Sequence, residues 1–202
     1  VTGAKKVKTE TELSKTSVST ATLALKVAEE ELGTLKDKKV LIIGATGKIG
    51  GIVLMNLESL HQADIYVTTR KNKLINTKHG NDDFTTIDYE DRYNYLDQMD
   101  VVISATSSPH YTLTYSKMKK QLVTAKRRVF VDLAVPMDIE AKISAVDDTC
   151  YYNIDDFTRI AKENNQKKLR EAEAASGILD EYELQFEQWM VCLLYTSDAA
   201  DD

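Results

Sequence analysis

Residues 39–51 read KVLIIGATGKIGG, and Gly44, Gly47 and Gly50 recur there at three-residue steps. A β-branched apolar run precedes the first glycine, and IVLMNLESL, apolar at helical spacing, follows the last. A strand turning sharply into a helix is a place where a chain of phosphates can be held. The first glycine permits the tight turn, the second lets backbone approach a diphosphate, and the third lets helix and strand pack closely. Free N–H groups from Thr46 to Ile49 (Thr46, Gly47, Lys48, Ile49) and the positive end of the helix dipole favour an anion, with Ala45 inside the turn. A P-loop is excluded, because Lys48 is followed by Ile49 rather than Ser or Thr, and Ile42 stands where its first glycine belongs. The competing reading is a plain tight turn of an α/β domain.

The segment ADIYVTTRK, at 63–71, sharpens the choice of ligand. The segment ends in Thr-Thr-Arg-Lys, and the acidic residue that a site for NAD carries at this strand end for the ribose 2′-hydroxyl is absent there. Arg70 can instead meet a 2′-phosphate with its planar fork, Thr69 can donate a hydroxyl, and Lys71 adds charge. NADP is therefore expected over NAD. Further on, VVISATSSPH and VFVDLAVPMDI end in small or hydroxyl residues, where strand ends line a ligand crevice. Ala105, Thr106 and Ser107 are expected along the nicotinamide half. Asp132, at a strand end, is either functional or a cap for a neighbouring helix. His110 sits in a loop, and His61 and His79 belong to no constellation. Cys150 and Cys192 lack metal or redox spacing, so neither a metal site nor a catalytic residue is assigned.

These residues need a scaffold, and the hydropathy pattern supplies one. Apolar strands are predicted at 40–43, 64–68, 101–105 and 129–133, with weaker ones near 84–87 and 149–152. Amphipathic helical stretches lie between them at 48–60, 71–79, 90–97, 114–125 and 138–145. Buried strands alternating with helices give a doubly wound, Rossmann-like parallel sheet. Ahead of the sheet, TSVSTATLALKVAEEELG reads as a helix that Thr16, Ser17 or Ser19 can cap, ended by Gly33. After 155 the pattern becomes one long helix. Ala172, Ala175, Leu179, Tyr182, Phe186 and Trp189 are spaced 3, 4, 3, 4, 3, a coiled-coil-like seam. That seam is expected to pair two copies of the chain, against the plainer reading of a helix packed on its own domain. The expected organisation is a connector at 1–16, an NADP-binding domain at 17–152, a partial dimerisation helix at 153–191, and a non-native tail at 192–202, where the heptad stops.

The totals narrow the class. The 202 residues are 43% hydrophobic and 29% charged, an ordinary globular balance. A net charge of −6 argues against a nucleic-acid-binding surface over the whole chain. No apolar run approaches the ~20 residues of a membrane span, and no leader pattern follows Val1. A cytoplasmic, non-membrane protein is expected, read from a piece of something longer.

Several segments together resemble one family. KTETELSKTSVSTATLAL, KKVLIIGATGKIG, IYVTTR, DVVISATSSPH, VDLAVPMDI and YYNIDDF stand in the order found in glutamyl-tRNA reductases, over roughly residues 5–190. The resemblance implies an NADP-binding domain and the start of a helical dimerisation domain. It implies an enzyme that reduces the glutamyl ester of tRNA to glutamate-1-semialdehyde for tetrapyrrole synthesis, with NADPH as reductant. A cysteine of a separate N-terminal domain, outside these residues, would form the thioester. By position, Gly44, Gly47 and Gly50 take the glycine turn, Thr69 and Arg70 the 2′-phosphate, and the ATSSPH and LAVP loops, with Ala134 and Val135, the nicotinamide side. The implied partners are a second copy of the chain, glutamyl-tRNA, and the aminomutase that takes up the semialdehyde. The glycine turn departs from the family's G-x-G-x-x-G by one residue, and Met137 stands where the family commonly carries Arg. Neither Cys150 nor Cys192 matches the family nucleophile, so these residues alone are expected to bind NADPH without completing the reaction. The competing readings are a reductase of shikimate-dehydrogenase or precorrin-2-dehydrogenase type, which needs its own acid/base pair such as Lys–Asp, and a non-catalytic NADP-binding module.

Overall fold

The computed structural model describes residues 19–70 and 84–198, with side chains as far as 190. Residues 18–159 form one compact unit, and those from Ile160 onward belong to another. The first unit opens with α1 (Thr20–Leu32), which Ser19 caps by accepting from the Thr22 amide at 3.2 Å. Gly33 ends it in the left-handed conformation, φ 77°. Thr16 and Ser17, the other caps considered, lie outside the described residues, as do the predicted connector and the helical stretch at 71–79.

Six parallel strands follow: β1 (Lys39–Ile43), β2 (Asp64–Thr69), β3 (Phe84–Asp88), β4 (Val101–Ser104), β5 (Arg128–Asp132) and β6 (Thr149–Tyr152). Their order across the sheet is β3-β2-β1-β4-β5-β6. The order reverses between β1 and β4, and strand ends diverge there into a crevice. The central strands read as unbroken apolar runs because both faces are covered: Val40–Ile43, Val101–Ile103 and Val129–Val131 are buried throughout. After β1 comes α2 (Lys48–Leu60), whose Val53, Leu54 and Leu57 face the sheet.

Three predicted helices take other forms. The stretch 90–97 is a 3-10 turn, the short α3 (Arg92–Tyr95) and a second 3-10 turn. The helix expected over 114–125 is α4 (Tyr115–Gln121), which stops because Asp97 captures the next amides: its Oδ1 accepts from Val123 at 3.0 Å and Thr124 at 2.9 Å. The stretch 138–145 yields only a 3-10 turn, Ala141–Ala145. The amides of Asp138 and Ile139 are already given to Asp132, each at 2.8 Å. The last element, α5 (Ile154–Asp198), begins where Asn153 Oδ1 accepts from the amides of Asp155 and Asp156. Its backbone stays helical past 192, where the apolar seam was expected to stop.

At the edge remote from the crevice, Glu31 near the end of α1 joins three groups of the β5–β6 edge. Its carboxylate accepts from the Tyr152 hydroxyl, the Arg127 guanidinium and the Cys150 thiol. The Tyr152 hydroxyl first, and then Arg127, hold the carboxyl below its ordinary value of 4.5. A depressed folded value adds stability above the unfolded value that is lost as pH falls through the folded one. Stability should therefore drop as the solution is acidified below that ordinary value, and Glu31→Gln should flatten the drop while lowering stability at neutral pH. Urea midpoints across acid pH measure both slopes; parallel curves would remove Glu31 from acid sensitivity.

Candidate functional site

A cleft of about 320 Å³ opens at the carboxyl ends of β1, β2 and β4. The glycine turn forms its floor. Gly44 adopts φ +90°, and a Cβ there would lie 2.7 Å from the Ala105 carbonyl oxygen. A Cβ on Gly50 would stand 2.2 Å from the Gly44 oxygen, so only hydrogen lets α2 start this close to the turn. Gly47 donates its amide to the Gly44 oxygen at 2.9 Å and opens α2 without a side chain to cap it. The first turn of α2 has no acidic residue, and Lys48 and Ile49 stand exposed upon it. Uncapped N–H groups at a helix start, with the dipole behind them, suit an anionic diphosphate.

Of the residues singled out in the sequence, Gly44, Thr46, Gly47, Thr69, Arg70, Ala105, Thr106 and Ser107 line this one cleft. Ala45 and Gly50 are buried beneath it as packing residues. Ala134 is buried after β5 and Val135 is 77% exposed, and neither lines the cleft. Lys71 and His79 lie outside the described residues. His110 is exposed and meets Ser108 through its backbone, not its imidazole. Cys150 is half-buried at the opposite edge, where burial and the neighbouring Glu31 push its thiol up, the reverse of what a nucleophile needs.

Two buried carboxylates hold the rim in shape. Asp132 accepts from the amides of Ala134 at 3.0 Å, and of Asp138 and Ile139, folding the loop after β5 back on itself. Burial pushes its carboxyl up, against the three amides that favour its charge. Asp132 is thus the cap of its own loop rather than a cleft residue. Asp138, fully buried, reaches across to the loop after β4. Its Oδ2 accepts from Ser104 Oγ at 2.7 Å and the Thr106 amide at 2.8 Å, and its Oδ1 from Thr106 Oγ1 at 2.6 Å. Sequence reasoning passed over Asp138, although it stands six residues after Asp132 in the quoted segment. It also passed over Tyr89, which lines the cleft just beyond β3 and which the strand-end rule would have flagged.

A parallel sheet in this order, with a glycine turn after its first strand and a cleft at the switch point, defines a Rossmann-type domain that binds a nucleotide cofactor. The chain belongs to the shikimate / quinate 5-dehydrogenase family, whose model matches residues 26–160. The curated and solved proteins it matches include glutamyl-tRNA reductases, as the motifs suggested. It is 35% identical to glutamyl-tRNA reductase of Clostridium novyi (strain NT) over 96% of its own length and 46% of that protein's. The structure of glutamyl-tRNA reductase from Methanopyrus kandleri matches with a TM-score of 0.72 at 26% identity, over 94% of this chain and 48% of that one. The nucleotide binding domain of the reductase from Thermoplasma volcanium, 22% identical, shares the fold at a TM-score of 0.51, over 76% of this chain and 97% of its own. The chain spans about half the length of the curated relatives it matches. Among the described residues no helix is long and apolar enough to cross a membrane.

Asp138→Ala would leave the Thr106 amide and hydroxyl without this acceptor and the Ser104 hydroxyl with only Thr112 Oγ1, at 3.3 Å. Unsatisfied buried donors of this kind cost roughly 1–3 kcal/mol each, so a loss of about 2–3 kcal/mol is expected in urea denaturation. A loss within ~0.5 kcal/mol, the range of an ordinary surface substitution, would show that Asp138 does not hold the rim.

Proposed function

We propose that this chain is the NADPH-binding portion of a glutamyl-tRNA reductase, the enzyme that reduces glutamyl-tRNA to glutamate-1-semialdehyde in tetrapyrrole biosynthesis. The observation that carries the cofactor choice is Arg70, at the end of β2 in a cleft lined, among the described residues, by no carboxylate. When bound, NADPH supplies a hydride to the activated glutamyl carbonyl. The glycine turn and the first turn of α2 take the diphosphate. Thr69 and Arg70, with Lys71, take the 2′-phosphate. Ala105, Thr106 and Ser107 flank the nicotinamide.

The covalent half of the reaction lies elsewhere. A thioester needs a thiolate, and Cys150 sits away from the cleft with its thiol pushed up. The chain alone is therefore expected to bind NADPH and leave glutamyl-tRNA unreduced. A self-contained shikimate-dehydrogenase-type reaction is disfavoured for this portion, because no lysine or aspartate is among the described residues lining the cleft. Exposed apolar residues of α5, Leu179, Phe186 and Trp189, support pairing with a second copy of the chain.

A charge-assisted contact to phosphate contributes roughly 1.5–3 kcal/mol, toward the low end for an exposed guanidinium. Arg70→Ala should then weaken NADPH about tenfold and leave NADH nearly unchanged. Titration of both cofactors against both proteins measures it, and equal losses would rule out the 2′-phosphate role.

A further inference from the structure

Tyr89 follows β3 and lines the cleft beside Arg70. Its ring is half-buried against the hydrophobic core, so its position is set by packing. Two guanidiniums lie over that ring, Arg70 Cζ at 4.6 Å and Arg92 Cζ at 3.9 Å from the centroid. Arg92 is itself fixed, donating Nε–H to the Thr112 carbonyl at 2.9 Å and Nη1–H to the Tyr89 carbonyl at 2.7 Å. Among the described residues, no carboxylate lies within ion-pair distance of either guanidinium.

We propose that Tyr89 is a specificity-determining residue for the cofactor's 2′-phosphate, acting through Arg70. This rests on the reading of Arg70 as the group that meets that phosphate. An exposed arginine samples many rotamers, and holding its fork in one orientation costs entropy at the moment of binding. A fixed aromatic face under the guanidinium restrains it beforehand by cation–π attraction. The same ring also carries Arg92, so two like charges, with no carboxylate partner among the described residues, lie over one ring and repel each other. A phosphate dianion relieves that repulsion, and a ribose hydroxyl does not. The ligand feature selected is a phosphomonoester on the adenosine ribose.

The 202-residue chain is titrated with NADPH and with NADH as wild type, Tyr89→Leu, Tyr89→Phe, Arg70→Ala and the Arg70→Ala/Tyr89→Leu double variant. Tyr89→Leu keeps the apolar packing but removes the ring, and should weaken NADPH roughly two- to fivefold with NADH unchanged. Tyr89→Phe should bind like wild type, and the double variant should match Arg70→Ala alone. Tyr89→Met replaces Tyr89→Leu if the latter fails to fold. Equal weakening of both cofactors would mean the ring stacks on adenine and would overturn the proposal, as would additive losses in the double variant. If Arg70→Ala itself does not discriminate between the cofactors, the reading of Arg70 fails and this inference fails with it. If only Arg70→Ala discriminates, the reading stands and the role of Tyr89 is refuted.

Discussion

The fully buried carboxylate of Asp138 bonds to the loop after β4 while its own loop is held by Asp132. Through Thr106 it sets the path of residues 105–108, and that path places the Ala105 carbonyl against Gly44. The glycine turn, the β4 loop and the β5 loop are therefore one packed unit at the switch point. Asp132 and Asp138 are costly groups to bury, and each is tolerated because backbone amides and hydroxyls aimed at it replace the lost water. The rim of the cleft is set in this way before any ligand arrives, which is what a site that must position a hydride donor needs.

The same economy explains which parts of the molecule were legible in the sequence. The strands were readable because a parallel sheet covered on both faces leaves a direct trace, a short run of Val, Ile and Leu. The glycine turn was readable because only hydrogen fits at Gly44 and Gly50, so the residue type reports the geometry. The place of Arg70 at the cleft was readable because a strand end is a fixed address in this fold. The helices around the later loops were not. Their apolar period is real, but a side chain distant in sequence claims the backbone amides that a helix would need. Asp97 does this to Val123 and Thr124, and Asp132 to Asp138 and Ile139. Periodicity reports which face is buried, and not which acceptor a given amide finds.

Asp138 and Tyr89 were hidden for a related reason. Neither belongs to a recurring spacing, and each acts through another residue, Asp138 through Thr106 and Tyr89 through Arg70. On the proposed reading the cleft they shape holds the cofactor for a reduction, and among the described residues its lining includes no thiol, carboxylate or lysine. On that reading the site would orient a hydride, and another part of the protein would present the carbonyl. That division agrees with a chain spanning about half the length of its curated relatives.

Backbone amide resonances of the isotope-labelled chain, followed during addition of NADPH, test the central claim most directly. Binding at the switch point should move the amides of Thr46, Gly47 and Ile49 at the glycine turn, Thr69 and Arg70 after β2, and Thr106 and Ser107 after β4. Residues around Glu31 and Cys150 at the remote edge should stay still. Shifts centred on that edge, or none at saturating NADPH, would contradict a dinucleotide site built on this turn.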